Sequence, residues 1–325
     1  MNTNTKHKFI DIEYPGFFVS LCEYGASVYS IKVNGKEMLS TFLNKDEWFD
    51  APSYHGKTIG RVAGRIPNAS IKFNNKEFKL EPNERENTLH GGFKGLSYKT
   101  FLSNVIDCGD HKEVTFSYFS PDMECGFPGN VIFVVIYKVY KNKTIEIVHL
   151  ANSKVCTPVN LTQHLYFKLG EKDLSTINMY LKASKRFMLD DNLLKLEKCD
   201  VYNTSFDFTK SKPIMKDCFS KDVEGPHKNG FDDIWCIDEH NNEECIAVLE
   251  SPSIKAEFYS NYDASVIYMD GYPSKKMLNT GIIDEQYSSI TMELTNQDIQ
   301  FIDENHPYNK FTKIQFKEII DGKHS

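Results

Sequence analysis

Residues 130–140 read NVIFVVIYKVY, a run dense in β-branched and aromatic side chains. A polar Lys-Asn-Lys triplet follows at residues 141–143, and residues 144–150 (TIEIVHL) then alternate apolar and polar side chains with a period of two. This period is typical of a half-buried strand, and a short polar turn between two such runs is typical of an antiparallel hairpin. We therefore predict a β-hairpin across residues 130–150.

Further stretches have the same strand character, at residues 114–119, 256–262 and 289–294. Residues 70–80 place a polar Asn-Asn-Lys triplet between two short apolar runs, which predicts a second hairpin. Only residues 44–49 suggest a helical turn, with Asn44 as its N-cap and Pro52 soon after it. Because strands follow strands without helices between them, a parallel α/β sheet is disfavoured. We expect an all-β fold, a large antiparallel β-sandwich with few short helices.

The composition is that of an ordinary globular protein, with 40% hydrophobic and 26% charged residues in 325. We find no internal repeat and no Pro- or Ser-rich linker, and we expect a single domain over residues 1–325. The formal net charge is −7, whereas a nucleic-acid binder usually carries an excess of basic residues. We therefore expect no nucleic-acid partner. No G-x-G-x-x-G or Walker A loop is present, which disfavours a nucleotide cofactor.

Residues 1–8 are polar and lack the apolar core of a signal peptide, and no run approaches 18 consecutive apolar residues. The eight cysteines are scattered without a C-x-x-C pair, so a zinc motif has no support. We interpret these cysteines as reduced core thiols rather than a disulfide framework. The sequence therefore predicts a cytoplasmic protein with no membrane partner.

Three polar clusters interrupt the apolar background. The first combines residues 60–66 (GRVAGRI) with residues 87–92 (NTLHGG). Glycines beside Arg65 and His90 let the backbone bring these polar side chains close to a ligand. Taken alone, such a cluster is more often a pair of glycine-rich turns with solvated charges.

The second cluster is residues 158–167 (PVNLTQHLYF). If this segment is one strand, Asn160, Thr162, His164 and Tyr166 share one face of it. A polar stripe of this kind either faces solvent or lines a cleft. Histidine is the side chain best suited to proton exchange near neutral pH, which makes His164 a candidate catalytic group.

The third cluster joins residues 230–235 (GFDDIW) with Glu293, which stands between Met292 and Leu294. A carboxylate between apolar neighbours on a strand either points to water or is held in a pocket. Burial would raise the pKa of such a carboxylate, which suits a general base. An exposed Glu on an amphipathic strand is the more usual case.

Taken in order, these segments resemble the aldose 1-epimerase (galactose mutarotase) family. The resemblance covers about residues 10–316 and rests on residues 60–66, 88–92, 126–130, 158–167, 206–208, 212–214 and 230–232. It implies a galactose mutarotase-like supersandwich with an open sugar-binding cleft, in agreement with the strand pattern. It also implies an enzyme that interconverts the α and β anomers of a free hexose such as galactose or glucose, with no metal and no organic cofactor.

The resemblance implies a catalytic role for three residues. Glu293 matches the general base that removes the proton of the C1 hydroxyl, and His164 matches the general acid that protonates the ring oxygen. The ring opens to the aldehyde, rotates about C1–C2 and closes on its other face. His90 matches a second histidine that positions the sugar and polarises it near the ring oxygen.

The resemblance also implies two residues that bind the sugar. Arg65 and Asp232 match residues that form charge-assisted hydrogen bonds with sugar hydroxyls. Asn160 and Tyr166, which share the predicted face with His164, are further candidates for binding the substrate. Trp235 is a candidate for stacking on the sugar, although aromatic residues more often belong to the core.

Two alternatives remain beside a mutarotase for free hexoses. The first is a hexose-6-phosphate 1-epimerase, which would need further Arg or Lys near C6 and is disfavoured by the acidic balance. The second is a catalytically silent carbohydrate-binding β-sandwich, against which the presence of both His90 and His164 argues. In each case the expected partner is a small-molecule sugar, and the protein is expected to be a monomer or homodimer.

Overall fold

The computed structural model describes residues 7–51, 53–221, 223, 230–320 and 323–324. Pro52, expected to follow the helical turn, lies outside the described residues. The strands are β1 (Phe9–Tyr14), β2 (Phe17–Cys22), β3 (Ser27–Val33), β4 (Lys36–Glu37), β5 (Thr58–Ile59), β6 (Arg65–Ile66), β7 (Ser70–Phe73), β8 (Lys76–Lys79), β9 (Thr88–Leu89), β10 (Leu102–Asp107), β11 (His111–Ser120), β12 (Val131–Tyr140), β13 (Thr144–Asn152), β14 (Thr157–Val159), β15 (Thr162–Gln163), β16 (Tyr166–Phe167), β17 (Asn178–Leu181), β18 (Lys185–Leu189), β19 (Lys195–Asp200), β20 (Lys212–Pro213), β21 (Asp232–Cys236), β22 (Ala247–Glu250), β23 (Ile254–Ser260), β24 (Ala264–Met269), β25 (Ile290–Thr295), β26 (Gln300–Ile302), β27 (Tyr308–Ile320) and β28 (Lys323–His324). The helices are α1 (Lys45–Asp50) and the 3₁₀ turns Pro67–Ala69, Leu96–Tyr98, Glu124–Gly126, Leu174–Thr176 and Ile214–Lys216.

The hairpin predicted across residues 130–150 is confirmed. β12 pairs antiparallel with β13, with Tyr140 opposite Thr144, and β12 buries every second side chain as the alternation requires. This hairpin lies inside a ten-stranded sheet of order β10-β11-β12-β13-β27-β23-β22-β17-β20, with β28 paired to β27.

Two smaller sheets complete the sandwich. One has six strands in the order β16-β25-β24-β21-β18-β19, and the other has four in the order β1-β2-β3-β4. The strand pairs of the three sheets are antiparallel. Val19 of β2, Val135 of β12 and Ile267 of β24 are fully buried in one shared hydrophobic core. The expected all-β antiparallel sandwich with few short helices is therefore confirmed.

Most of the local predictions also hold. The strands predicted at residues 114–119, 256–262 and 289–294 correspond to β11, β23 and β25. Residues 70–80 form the hairpin of β7 and β8, closed by Asn74 and Asn75 at φ of 49° and 57°. In the helical turn α1, the side chain of Asn44 accepts a hydrogen bond from the Asp46 backbone N–H at 2.9 Å.

Two expectations need correction. Residues 158–167 are not one strand, because the segment breaks into β14, β15 and β16, which pair with three different partners. All eight cysteines are free, as expected, but only Cys22, Cys218 and Cys236 are buried. Four of the remaining thiols are partly exposed, and Cys108 is exposed. Of the helices that the structure describes, none has the length and apolar character needed to cross a membrane.

Candidate active site

A cavity of about 690 Å³ opens among the six-stranded sheet and the loops around β6 and β9. This volume is within the usual range of small-molecule sites. Its walls include seven of the residues predicted from the sequence: Arg65, His90, Asn160, His164, Tyr166, Asp232 and Glu293.

Strand pairing brings the acidic residues and His164 to one wall of this cavity. β21 and β25 both pair with β24, which places Asp232 opposite Tyr268 and Glu293 opposite Val266. β16 pairs with β25, so the connection between β15 and β16 carries His164 against Glu293.

His164 and Glu293 form a direct side-chain contact. The Nε2 atom of His164 lies 3.2 Å from Oε1 of Glu293, and the two side chains are 5% and 4% exposed. The backbone N–H of His164 donates to the Lys57 carbonyl at 3.0 Å, and its carbonyl accepts from the Gly56 N–H at 2.9 Å. Thr291 Oγ1 donates to Oε1 of Glu293 at 3.3 Å. The loop before β5 thus holds the backbone of His164, and Thr291 of the same strand orients the Glu293 carboxyl group.

Burial determines the protonation of this pair. Burial, assisted by the charge of Asp232, raises the pKa of Glu293 to about 8, although Thr291 and Arg65 act in the opposite direction. Burial lowers the pKa of His164 to about 3. Since neither group is stable as an isolated charge, the pair keeps one exchangeable proton between them near neutral pH. Transfer of that proton from carboxyl to imidazole gives a carboxylate base beside an imidazolium acid.

His90 follows β9 and faces His164 across the cavity, with ring centroids 5.5 Å apart. The backbone N–H of Gly64 donates to its Nδ1 at 3.2 Å, which places the ring hydrogen of the neutral imidazole on Nε2. Burial, with His164 and Arg65, holds the pKa of His90 well below its usual value. The loop depends on Gly91, since a Cβ there would lie 2.0 Å from the Gly60 carbonyl oxygen. His90 is therefore a neutral hydrogen-bond donor.

Arg65 and Asp232 stand together at the side of the cavity. Glu84 accepts two hydrogen bonds from the Arg65 guanidinium, at 2.6 Å from Nε and 2.9 Å from Nη2. Oδ2 of Asp232 lies 3.8 Å from Nη2 of Arg65. Glu84 fixes the plane of the guanidinium, and the longer distance leaves the Asp232 carboxylate available to a ligand.

Comparison with known proteins assigns this chain to a family. A family model described as aldose 1-epimerase matches residues 8–315. The chain belongs to the aldose 1-epimerase family. An aldose 1-epimerase from Haemophilus influenzae is 29% identical over 288 residues, which cover 86% of this chain and 83% of that protein. A galactose mutarotase from Pongo abelii is 27% identical over 290 residues, covering 86% and 82% of the two chains.

Solved structures show the same fold. The crystal structure of galactose 1-epimerase from Lactobacillus acidophilus superposes with a TM-score of 0.88 at 24% identity, over 98% of this chain and 96% of that chain. The resemblance inferred from the ordered motifs is thus confirmed, as is the supersandwich architecture that it implied.

Asn160 and Tyr166, two residues predicted to bind the sugar, use their side chains in contacts within the protein. Oδ1 of Asn160 accepts from Thr295 Oγ1 at 3.0 Å and from Asn296 backbone and side-chain N–H groups at 3.2 and 3.0 Å. The ring of Tyr166 stacks on His55 with centroids 3.8 Å apart. Both residues line the cavity, but the side-chain oxygen of Asn160 is already hydrogen-bonded to residues at the end of β25.

The family's glycine-rich motif contains two arginines with different surroundings. Arg61 is 3% exposed, and its guanidinium donates to the side chain of Ser120 and to the carbonyl of Pro121, away from the cavity wall. Arg65 lines the cavity instead. Trp235 is fully buried and donates to the Phe206 carbonyl at 3.0 Å, so it belongs to the core and does not stack on a ligand.

Tyr54 and Glu84 are among the wall residues that the sequence reasoning missed. The Tyr54 ring lies 4.8 Å from the His90 ring and 5.7 Å from the His164 ring, between centroids. Glu84 orients Arg65. Both residues stand in polar loops without a period or motif, and only the folded loops bring them to the cavity.

The donor atoms of His90, His164 and Glu293 lie within 4.8 Å of one another, which is also close enough to hold a metal ion. Nitrogen and carboxylate donors of this kind suit a first-row divalent cation. The family resemblance implies proton transfer without a metal, and the pair of His164 and Glu293 supplies both proton-transfer groups for it.

Proposed function

We propose that this chain is an aldose 1-epimerase that interconverts the α and β anomers of a free hexose such as galactose or glucose. The observation that carries the proposal is the 3.2 Å contact between Nε2 of His164 and Oε1 of Glu293 in the cavity wall. Opening a hemiacetal ring takes a proton from one oxygen and gives one to another, so it needs an acid and a base side by side. Family membership supports the reaction class.

The proposed reaction starts from the ion-pair form of the two residues. The Glu293 carboxylate takes the proton of the C1 hydroxyl while the His164 imidazolium protonates the ring oxygen, and the C1–O5 bond breaks to give the aldehyde. Rotation about C1–C2 presents the other face of the carbonyl. The 5-hydroxyl then adds to C1, returning its proton to His164, while Glu293 returns its proton to the former carbonyl oxygen. Both groups end in their starting state.

The remaining residues hold the sugar. The Nε2–H of His90 donates to the ring oxygen or an adjacent hydroxyl, and the Asp232 carboxylate accepts from hydroxyls. Arg65, fixed by Glu84, donates to a further hydroxyl. We retain the cytoplasmic location and the monomeric or homodimeric state as predictions.

Polarimetry with three sugars tests the proposal. Freshly dissolved α-D-galactose, α-D-glucose and α-D-glucose 6-phosphate are followed with and without protein in dilute neutral buffer. We expect a faster approach to an unchanged final rotation for a free hexose, and the ratio of the two free-hexose rates identifies the preferred sugar. Acceleration of the phosphorylated sugar alone would favour the hexose-6-phosphate 1-epimerase. No acceleration of any of the three would contradict an epimerase and favour the silent binder.

A further inference from the structure

A second cluster of potential ligands lies behind Tyr166. It consists of His55 in the loop before β5, Asp270 directly after β24, and Asp284 in the loop before β25. One donor atom from each of the three side chains lies within 4.8 Å of the others. All three residues are buried, with 3%, 3% and 0% of their surface exposed.

Two atoms of this cluster have no hydrogen-bond partner among the described residues. They are Nε2 of His55 and Oδ2 of Asp270. Buried polar atoms are nearly always paired, so two unpaired ones in one cluster indicate a missing partner. A single group that both accepts a histidine lone pair and neutralises a carboxylate would satisfy them together, and a cation does both.

Other side chains already orient the cluster as they would orient metal ligands. Nδ1 of His55 contacts Ser53 Oγ at 3.0 Å. Oδ2 of Asp284 accepts from the backbone N–H and the hydroxyl of Ser274 at 2.6 and 2.7 Å, and its Oδ1 accepts from Ser288 Oγ at 3.0 Å. Outer hydrogen bonds of this kind fix the direction of a ligating imidazole or carboxylate.

The two carboxylates of the cluster also need a neutralising partner. Among the ion pairs of the described residues, none joins a lysine or arginine to Asp270 or Asp284. The buried Lys168 donates to Thr280 Oγ1 at 3.4 Å. Two buried carboxylates at close range need either a shared proton or a bound cation, because water cannot screen their repulsion.

We propose that His55, Asp270 and Asp284 bind one divalent first-row transition-metal ion, with Zn²⁺ as the reference ion. One imidazole nitrogen and two carboxylates suit Zn²⁺ better than Mg²⁺ or Ca²⁺, which prefer oxygen ligands alone. The two carboxylates balance the charge of the ion. Three protein ligands leave a fourth position on the ion for water. The ion ties the His55–Gly56 segment, whose Gly56 N–H binds the His164 carbonyl, to two points of the β24–β25 connection.

Metal content and binding of the full-length chain test this proposal. Protein stripped with chelator is dialysed against micromolar Zn²⁺ or Co²⁺, and the bound metal is measured by elemental analysis and by the visible absorption of Co²⁺. We expect about one ion per chain and a rise in the melting temperature. His55→Gln and Asp270→Asn should each reduce the bound metal at least tenfold.

Glu293→Gln distinguishes this site from the catalytic cavity, since it removes a donor from the other histidine cluster. We expect Glu293→Gln to keep the full stoichiometry of bound metal. Wild-type protein that remains folded by circular dichroism and binds no Zn²⁺ or Co²⁺ would overturn the proposal, and would favour a proton shared by Asp270 and Asp284. Loss of the metal in Glu293→Gln, with retention in His55→Gln, would overturn it as well.

Discussion

At the scale of single residues, burial determines the protonation of His164 and Glu293. An exposed Glu and His would be a carboxylate and a mostly neutral imidazole at pH 7, each titrating near its ordinary pKa. In this chain burial raises the pKa of Glu293 to about 8 and lowers that of His164 to about 3. The pair therefore keeps a single proton between them over a wide range of pH.

This protonation predicts the pH profile of kcat/KM. Above about pH 8 the pair loses its proton, and His164 can no longer protonate the ring oxygen, so kcat/KM should fall tenfold per pH unit. Between pH 5 and 7 it should stay level, because His164 takes up a second proton only near pH 3. Initial rates by polarimetry from pH 5 to 10, corrected for the spontaneous reaction, measure this. A change in kcat/KM centred near pH 6.5, or no fall in kcat/KM at alkaline pH, would contradict the protonation states given to His164 and Glu293.

Asp232 is expected to affect both the binding of the sugar and the pKa of Glu293. Asp232→Ala removes one charge-assisted hydrogen bond to the sugar, which should raise KM roughly tenfold with little change in kcat. The negative charge of Asp232 also raises the pKa of Glu293. Its removal should therefore move the alkaline flank of kcat/KM to lower pH. Steady-state kinetics at several pH values test both effects, and an unchanged KM would exclude Asp232 from the sugar site.

The candidate catalytic residues were proposed from ordered motifs, not from their spacing or period. His164 and Glu293 lie 129 residues apart in the chain, and only the pairing of β16 with β25 brings them together. Glu84 could not be predicted at all, because only the folded loop before β9 brings it into contact with Arg65. Interactions that depend on loop closure carry no local sequence signal.

At the scale of elements, the segment of residues 158–167 shows where a period can mislead. The two-residue rhythm of Asn160, Thr162, His164 and Tyr166 does predict a common environment, and all four line the cavity. The inferred cause was wrong, since the segment is three short strands with different partners. Regular strands such as β12 were predictable because hydrophobic alternation alone determines which face is buried.

Asn160 is predicted to be a structural residue of this segment. Asn160→Ala leaves the hydroxyl of Thr295 and polar groups of Asn296 without their acceptor. The free energy of unfolding should fall by about 1–3 kcal/mol, because buried groups lose hydrogen bonds that water cannot replace. Urea unfolding measures this loss, with Asn152→Ala at the exposed end of β13 as the matched control. Equal stability of the two variants would contradict the structural role.

At the scale of the whole molecule, three antiparallel sheets share one core, and the cavity lies against one face of the six-stranded sheet. The overall fold was the most predictable level, since the alternating strands and the scarcity of helical patterns both point to an antiparallel sandwich. The order of strands in each sheet was not predictable. It depends on long-range pairs such as β13 with β27, which join segments distant in the chain.

Buried carboxylates make the stability of the whole molecule depend on pH, and Glu37 is a clear example. Burial raises the pKa of Glu37 to about 7, against hydrogen bonds from Ser30, Ile31 and Leu39 and the charge of Lys32. The stabilisation due to the protonated form is complete below the unfolded pKa and is lost as the pH rises through 7.

Glu37→Gln removes this titration while keeping the shape of the side chain. Between pH 4.5 and 8, wild-type protein should lose up to about 3 kcal/mol of unfolding free energy relative to Glu37→Gln. Denaturant unfolding at several pH values measures the difference, with Glu13→Gln on the exposed face of β1 as the control. A constant difference across this range would show that Glu37 is ionised throughout.

The measurement that tests the central claim most directly is polarimetry of α-D-galactose with wild-type protein, Glu293→Gln and His164→Asn. The control is Glu146→Gln, which alters a surface ion pair with Lys138. We predict that the wild type and the control accelerate mutarotation equally. Each active-site variant should lose at least about two decades in kcat with its fold intact by circular dichroism, since each lacks one proton-transfer group. Near-native turnover by Glu293→Gln or His164→Asn would contradict the account of the catalytic pair.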